Sequence, residues 1–175
     1  ISYSQDALNA ASPTLVRALQ AGPDAPLRET KLWRGGTAES DAINAVMKLQ
    51  TWTYYKGDVN EEKTDFVQNY KADGTTVRNT TLHYYEDPAN AALLVRATAS
   101  SSDSALRETK QFRNGTAGSD IIATTMKLQT HTYFKGLVNE EKTDFLQNYR
   151  SNGTTVRNTQ IHFYEDPTGG TGVVR

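Results

Sequence analysis

The residues best suited to chemistry in this chain are three histidines, two acid-rich loops and a set of paired aromatics. His83 and His162 stand at matching places in "LHYYEDP" and "IHFYEDP", and His131 stands in "QTHTYFK". Transition metals take imidazoles, thiolates or carboxylates at short, regular spacings. No HxH or HxxxH occurs, and the chain has no cysteine, so disulfides and thiolate sites are excluded. A serine nucleophile needs a base beside it and usually a strained GxSxG turn, which is absent. "GGTAESD" does not match the GxxxxGK phosphate loop. "KGDVNEEKTD" gathers Asp58, Asn60, Glu61 and Glu62, an oxygen set of the kind calcium takes. It lacks the EF-hand spacing, and its second copy has Leu137 in place of Asp58, so a solvated loop is favoured over calcium. The expectation is a protein that is not an enzyme and carries no cofactor, with calcium at those four residues as the alternative.

Nearly every candidate occurs twice, and the duplication leads to the architecture. Leu27 recurs as Leu106, Met47 as Met126, Phe66 as Phe145, Pro88 as Pro167 and Arg96 as Arg175, a constant spacing of 79 residues. Of 70 aligned pairs, 46 are identical. A partial copy precedes them: "ISYSQD" at the N-terminus echoes "LHYYED" and "IHFYED", and "LVRA" after it echoes "LVRA" at Leu94–Ala97. The chain therefore divides into a partial repeat (1–26), a first full repeat (27–105) and a second (106–175). Tandem self-similarity of this kind is the mark of arrays and pseudo-symmetric assemblies.

Each repeat reads as β-structure. "LRETKLWR", "VMKLQTWTYYK", "KTDFVQNYK" and "TTVRNTTLHYYE" are dense in Thr, Val, Tyr and Phe, as half-buried strands require. Gly35-Gly36 becomes Asn114-Gly115, and Asp73-Gly74 becomes Asn152-Gly153. These dipeptides tolerate positive φ and predict two-residue hairpin turns. "SDAINAVMKL" has a helix cap, but its partner "SDIIATTMKL" is β-branched, so strand or irregular structure is preferred to helix. Strict alternation places Trp52 and Tyr54 on the outward face, because a Trp that tolerates replacement by His131 suits a wet surface. Leu82 and Tyr84 become Ile161 and Phe163 and read as core, leaving Asn79, Thr81, His83 and Tyr85 outward. The fold expected is mainly β: two tandem antiparallel units of four strands, packed face to face as a pseudo-twofold β-sandwich.

Composition restricts the function. A net charge of −1 is no footprint for nucleic acid, and no apolar run approaches the ~20 residues of a membrane helix. The leading expectation is a self-assembling structural subunit of a filament, fibre or shell, partnered by copies of itself through strand exchange. Its assembly strands would carry Ile1, Tyr3, Leu15 and Val16 at one end, and Ile161, Phe163, Val173 and Val174 at the other. The alternative is a lectin-like module binding glycans through Trp52, Tyr54, His83, Tyr85 and their partners His131, Tyr133, His162 and Tyr164. A nucleic-acid-contacting coat protein, with Lys48, Lys56, Arg78 and Tyr85 on phosphates and bases, is the third reading. An extracellular, cell-surface or virion setting is expected.

Overall fold

The structure is a computed structural model that describes residues 2–5, 15–165 and 173–174. Its strands are β1 (Ser2–Gln5), β2 (Leu15–Val16), β3 (Leu27–Arg34), β4 (Lys48–Lys56), β5 (Lys63–Tyr70), β6 (Val77–Asp87), β7 (Asn90–Val95), β8 (Leu106–Arg113), β9 (Lys127–Lys135), β10 (Lys142–Tyr149), β11 (Val156–Ile161), β12 (Tyr164–Glu165) and β13 (Val173–Val174). One 3-10 turn, Ala97–Ala99, interrupts the linker between β7 and β8. Among the described residues there is no α-helix.

Eleven strands form one antiparallel sheet in the order β11-β10-β9-β8-β6-β5-β4-β3-β1-β2, with β7 also on β6. The protein is therefore mainly β, as composition predicts. The sandwich is corrected: the repeats β3–β6 and β8–β11 do not stack face to face but join edge to edge, β6 to β8. A strand edge with free N–H and C=O groups is most simply satisfied by another edge.

The turns are also corrected. Between β5 and β6 the chain takes six residues, with Lys71 N bonded to Thr76 O and Gly74 in the left-handed region at φ 74°. The Asp73 carboxylate accepts the amides of Thr75 and Thr76 at 2.9 Å each, which shapes a loop rather than a two-residue turn. Hydrogen bonds from the Thr76 hydroxyl and these amides hold the Asp73 carboxyl down to about 2. Asn152 plays the same part through Thr154 and Thr155. Gly35-Gly36 and Asn114-Gly115 open long irregular connections to β4 and β9, not tight hairpins.

Face assignment by alternation fails because of bulges. Leu32 pairs with Thr51 and Trp33 with Leu49, so Gln50 is an extra residue. The bulge turns Leu49 onto the face of Trp52. Leu49, Tyr70 and Val77 form a buried cluster with Trp33 and Trp52 packed against it. Trp52 stacks on Tyr54 and Tyr54 on Phe66, so this face is the packed one and not the outward one. A second bulge lies on β8, where Arg107 is the extra residue opposite the Tyr84–Tyr85 step, and Tyr85 is buried there, with its hydroxyl donating to Thr64 O at 2.7 Å.

Candidate functional site

The part of the molecule with a built geometry is the junction between repeats. β6 pairs with β8 from Asn79 opposite Arg113 to Tyr85 opposite Leu106. After β8 the chain turns back, and Asn114–Asp120 lies over the packed face of the preceding repeat. Gln68 and Thr80 sit beneath it, both at 0% exposure. Gln68 Nε2 donates to Thr116 O at 2.9 Å and to Ser119 O at 3.1 Å, and Gln68 Oε1 accepts from Gly118 N at 2.8 Å. Thr80 Oγ1 donates to Asn114 O at 3.1 Å. One side-chain amide thus satisfies three backbone groups of a loop that has no regular structure of its own. At the rim, Arg96 bridges Asp65 at 2.9 Å and Asp120 at 3.3 Å. The first full repeat therefore receives part of its roof from the repeat that follows.

The same junction is started at the N-terminal end. Tyr3 lies opposite Glu29 and Ser4 opposite Leu27, as Tyr84 lies opposite Glu108 and Tyr85 opposite Leu106. Ser4 also pairs with Val16 as Tyr85 pairs with Val95. Arg17 is ion-paired with Asp41, the counterpart of Arg96 with Asp120. At the C-terminal end Tyr164 pairs with Val174, which repeats the hairpin once more, but β12 and β13 form a separate two-stranded sheet.

The expected assembly residues fall into two groups. Tyr3 lies in β1, which pairs with β3 within the chain, and Leu15 and Val16 lie in β2, which pairs with β1. Ile161 ends β11, Phe163 follows it at 62% exposure, and Val173 and Val174 form β13. Ile1 lies outside the described residues.

The expected binding aromatics do not form an open platform. Tyr85 and His131 are buried, which corrects the outward placement. Trp52 Nε1 donates to Glu29 Oε2 at 2.8 Å, and His131 Nε2 meets Glu108 Oε2 at 2.8 Å. The Trp-to-His exchange is tolerated because each ring puts a nitrogen on the matching carboxylate of its own repeat, Glu29 or Glu108, not because the site is wet. His131 stacks on Tyr133 as Trp52 stacks on Tyr54, and Tyr133 bonds His131 Nδ1. The Tyr164 hydroxyl donates to Thr143 O, and the His162 amide to Asp144 O. Sequence alternation missed Gln68 and Thr80. The signal that would have found them is a polar pair inside an apolar strand set.

His83 is partly buried, with its Nδ1 cut off from solvent and lacking a hydrogen-bond partner. Burial, with the nearby Arg96 charge adding to it, holds the imidazole at about 4, down from 6.5. A base whose pKa falls on folding binds fewer protons folded than unfolded. Stability is therefore lost as pH drops through 6.5, and the loss is complete below about 4. The size is on the order of 3 kcal/mol. Urea melts of wild type and His83→Gln at neutral and acid pH check this. The variant should show a flatter dependence, and equal slopes would disprove the assignment.

An open cleft of about 1150 Å³ lies beside the junction, lined by Arg28, Glu29, Tyr54, Lys63, Asp65 and Asp120 among others. Its charges hold the fold together. Arg28 donates to Gly57 O, Lys63 to Ser104 O, and Asp65 pairs with Arg96. In the acidic loop, Glu62 accepts the Leu27 amide at 2.9 Å, and Glu141 accepts Leu106 in the same way. Among the described residues, no group of three His, Asp or Glu is placed to hold a metal ion. No described helix is long and apolar enough to cross a membrane.

No family model, curated protein or solved structure matches the chain.

Proposed function

We propose that the protein is a non-enzymatic structural building block that assembles with copies of itself into an extended β array. The observation that supports this is the roof over Gln68 and Thr80, supplied by the following repeat. A unit whose core is completed by its neighbour is suited to chains of units rather than to isolated work. A sheet that grows edge to edge has no built-in closure, so heterologous contacts extend it into filaments or shells. The cleft residues and aromatic stacks serve as internal struts in this reading.

Light scattering and negative-stain electron microscopy over a concentration series provide the test. Mass should rise with concentration and elongated or sheet-like particles should appear. A strictly monomeric protein at high concentration would refute the proposal.

A further inference from the structure

The two repeats build one loop with two different side chains. Asp73 precedes Gly74 between β5 and β6, and Asn152 precedes Gly153 between β10 and β11. The Asp73 carboxylate accepts the amides of Thr75 and Thr76 at 2.9 Å and the Thr76 hydroxyl at 2.5 Å. Asn152 Oδ1 accepts the amides of Thr154 and Thr155 at 3.1 Å each, and Asn152 Nδ2 donates to Thr155 Oγ1 at 2.8 Å. Gly74 and Gly153 take φ 74° and 75°. The backbone has one shape, and the first repeat holds an acid where the second holds an amide.

An asparagine side chain is an electrophile beside the next backbone nitrogen. When that nitrogen belongs to glycine, no Cβ hinders the approach. Attack on the amide carbon puts negative charge on its oxygen. At Asn152 this oxygen already faces two backbone N–H groups, the arrangement that stabilises a developing oxyanion. Asn152 is exposed, so water and hydroxide reach it. The chain supplies its own comparison in Asn114-Gly115, the other Asn-Gly pair. Asn114 is exposed too, but among the described residues no N–H group donates to its side chain.

We infer that Asn152-Gly153 is a self-modifying site, where the loop converts Asn152 to aspartate without an enzyme and brings the second repeat to the form of the first. Gly153 N gives its proton to solvent base and bonds to Asn152 Cγ. The tetrahedral oxyanion collapses and Nδ2 takes up a proton and leaves as ammonia, which closes a succinimide ring. Water then adds to the ring and opens it. Addition at Cγ breaks the new Cγ–N bond and yields aspartate in a normal backbone. Addition at the main-chain carbonyl would yield isoaspartate, with one more carbon in the backbone. Two features favour the first course. The Thr154 and Thr155 amides polarise the Cγ carbonyl, and Gly153 is pressed against β9, where even a Cβ would stand 2.8 Å from Leu128 N. The product keeps the loop, because the carboxylate can take both amides and the Thr155 hydroxyl as Asp73 takes those of Thr75 and Thr76. Its hydrogen bonds become charge-assisted, and the loop gains one negative charge. This inference is independent of the assembly proposed above.

The full chain is incubated at mildly alkaline pH, both native and in guanidinium chloride, and then digested with trypsin. The two sites separate cleanly, in the peptides Ser151–Arg157 and Asn114–Lys127. Mass spectrometry measures the exchange of amide for acid in each, and isoaspartyl methyltransferase labels the isomer with the lengthened backbone. In the native protein Asn152 should convert about tenfold faster than Asn114, and about tenfold faster than Asn152 in guanidinium chloride, with aspartate as the main product. Equal rates at the two sites would overturn the inference. So would a reaction as fast or faster in the unfolded chain, or isoaspartate as the main product. Asn152→Asp tests the product directly. It should melt at or above the wild-type temperature at neutral pH, and a lower value would show that the loop does not accept the acid and would overturn the inference as well.

Discussion

Gly115→Ala is expected to destabilise the folded chain by about 4 kcal/mol, the cost of overpacking plus a broken buried hydrogen bond. A Cβ at this position would stand 2.2 Å from Thr80 Oγ1 and 3.3 Å from Val77 Cγ1. Thr80 is fully buried and stiff at χ1, and its hydroxyl is tied to Asn114 O, so it has nowhere to move. The counterpart Gly36 makes the control. Its nearest neighbour is the flexible Met47 Cε at 3.8 Å. Gly36→Ala meets only the backbone strain of φ 132°, worth about 1 kcal/mol. Denaturant unfolding of the two variants should therefore differ several-fold in effect. Equal effects would mean that the Asn114–Asp120 loop does not seat on β6.

Gln68→Ala is expected to cost about 4 kcal/mol, since it strands three backbone groups of the loop at a partner-free buried surface. Thr116 O, Ser119 O and Gly118 N all lose their partner at once. Gln68→Glu is more informative than alanine. It keeps the acceptor for Gly118 N but faces two carbonyls with no donor, so it should lose most of the same stability above the carboxylate pKa. Chemical denaturation monitored through Trp33 and Trp52 measures both. An effect below about 1 kcal/mol would show that the loop is held by other contacts.

The repeat and its strands were legible because spacing survives any side-chain exchange. The four strand segments and the irregular stretch before Met47 were readable from Thr, Val and aromatic density. What failed was alternation. One extra residue at Gln50 of β4 and another at Arg107 of β8 each break the alternation of faces along their strands, and no residue type announces a bulge. The Trp52-to-His131 exchange misled for a different reason. Composition registers the loss of apolar surface, but not that Glu29 and Glu108 accept from either ring. The junction was half legible. The echo of the closing element at both ends was visible, and the structure places β1 on β3 as β6 lies on β8. Whether units meet by face or by edge depends on the loop over Gln68, which is a contact 48 to 51 residues away in sequence.

The one-sided roof gives the molecule a direction in its unfolding. Strands β5 and β6 are covered by the following repeat, and β11 is exposed along its length among the described residues. Opening should therefore fray from the β11 end inward, like a zipper with one free end, and amide exchange should be fastest there. In the proposed array coupling passes only between adjacent units, so each added unit stabilises the one before it and leaves a new last one loose. Melting temperature then climbs with the number of units in the row and levels off. In the proposed array a single molecule is the weakest member of that series.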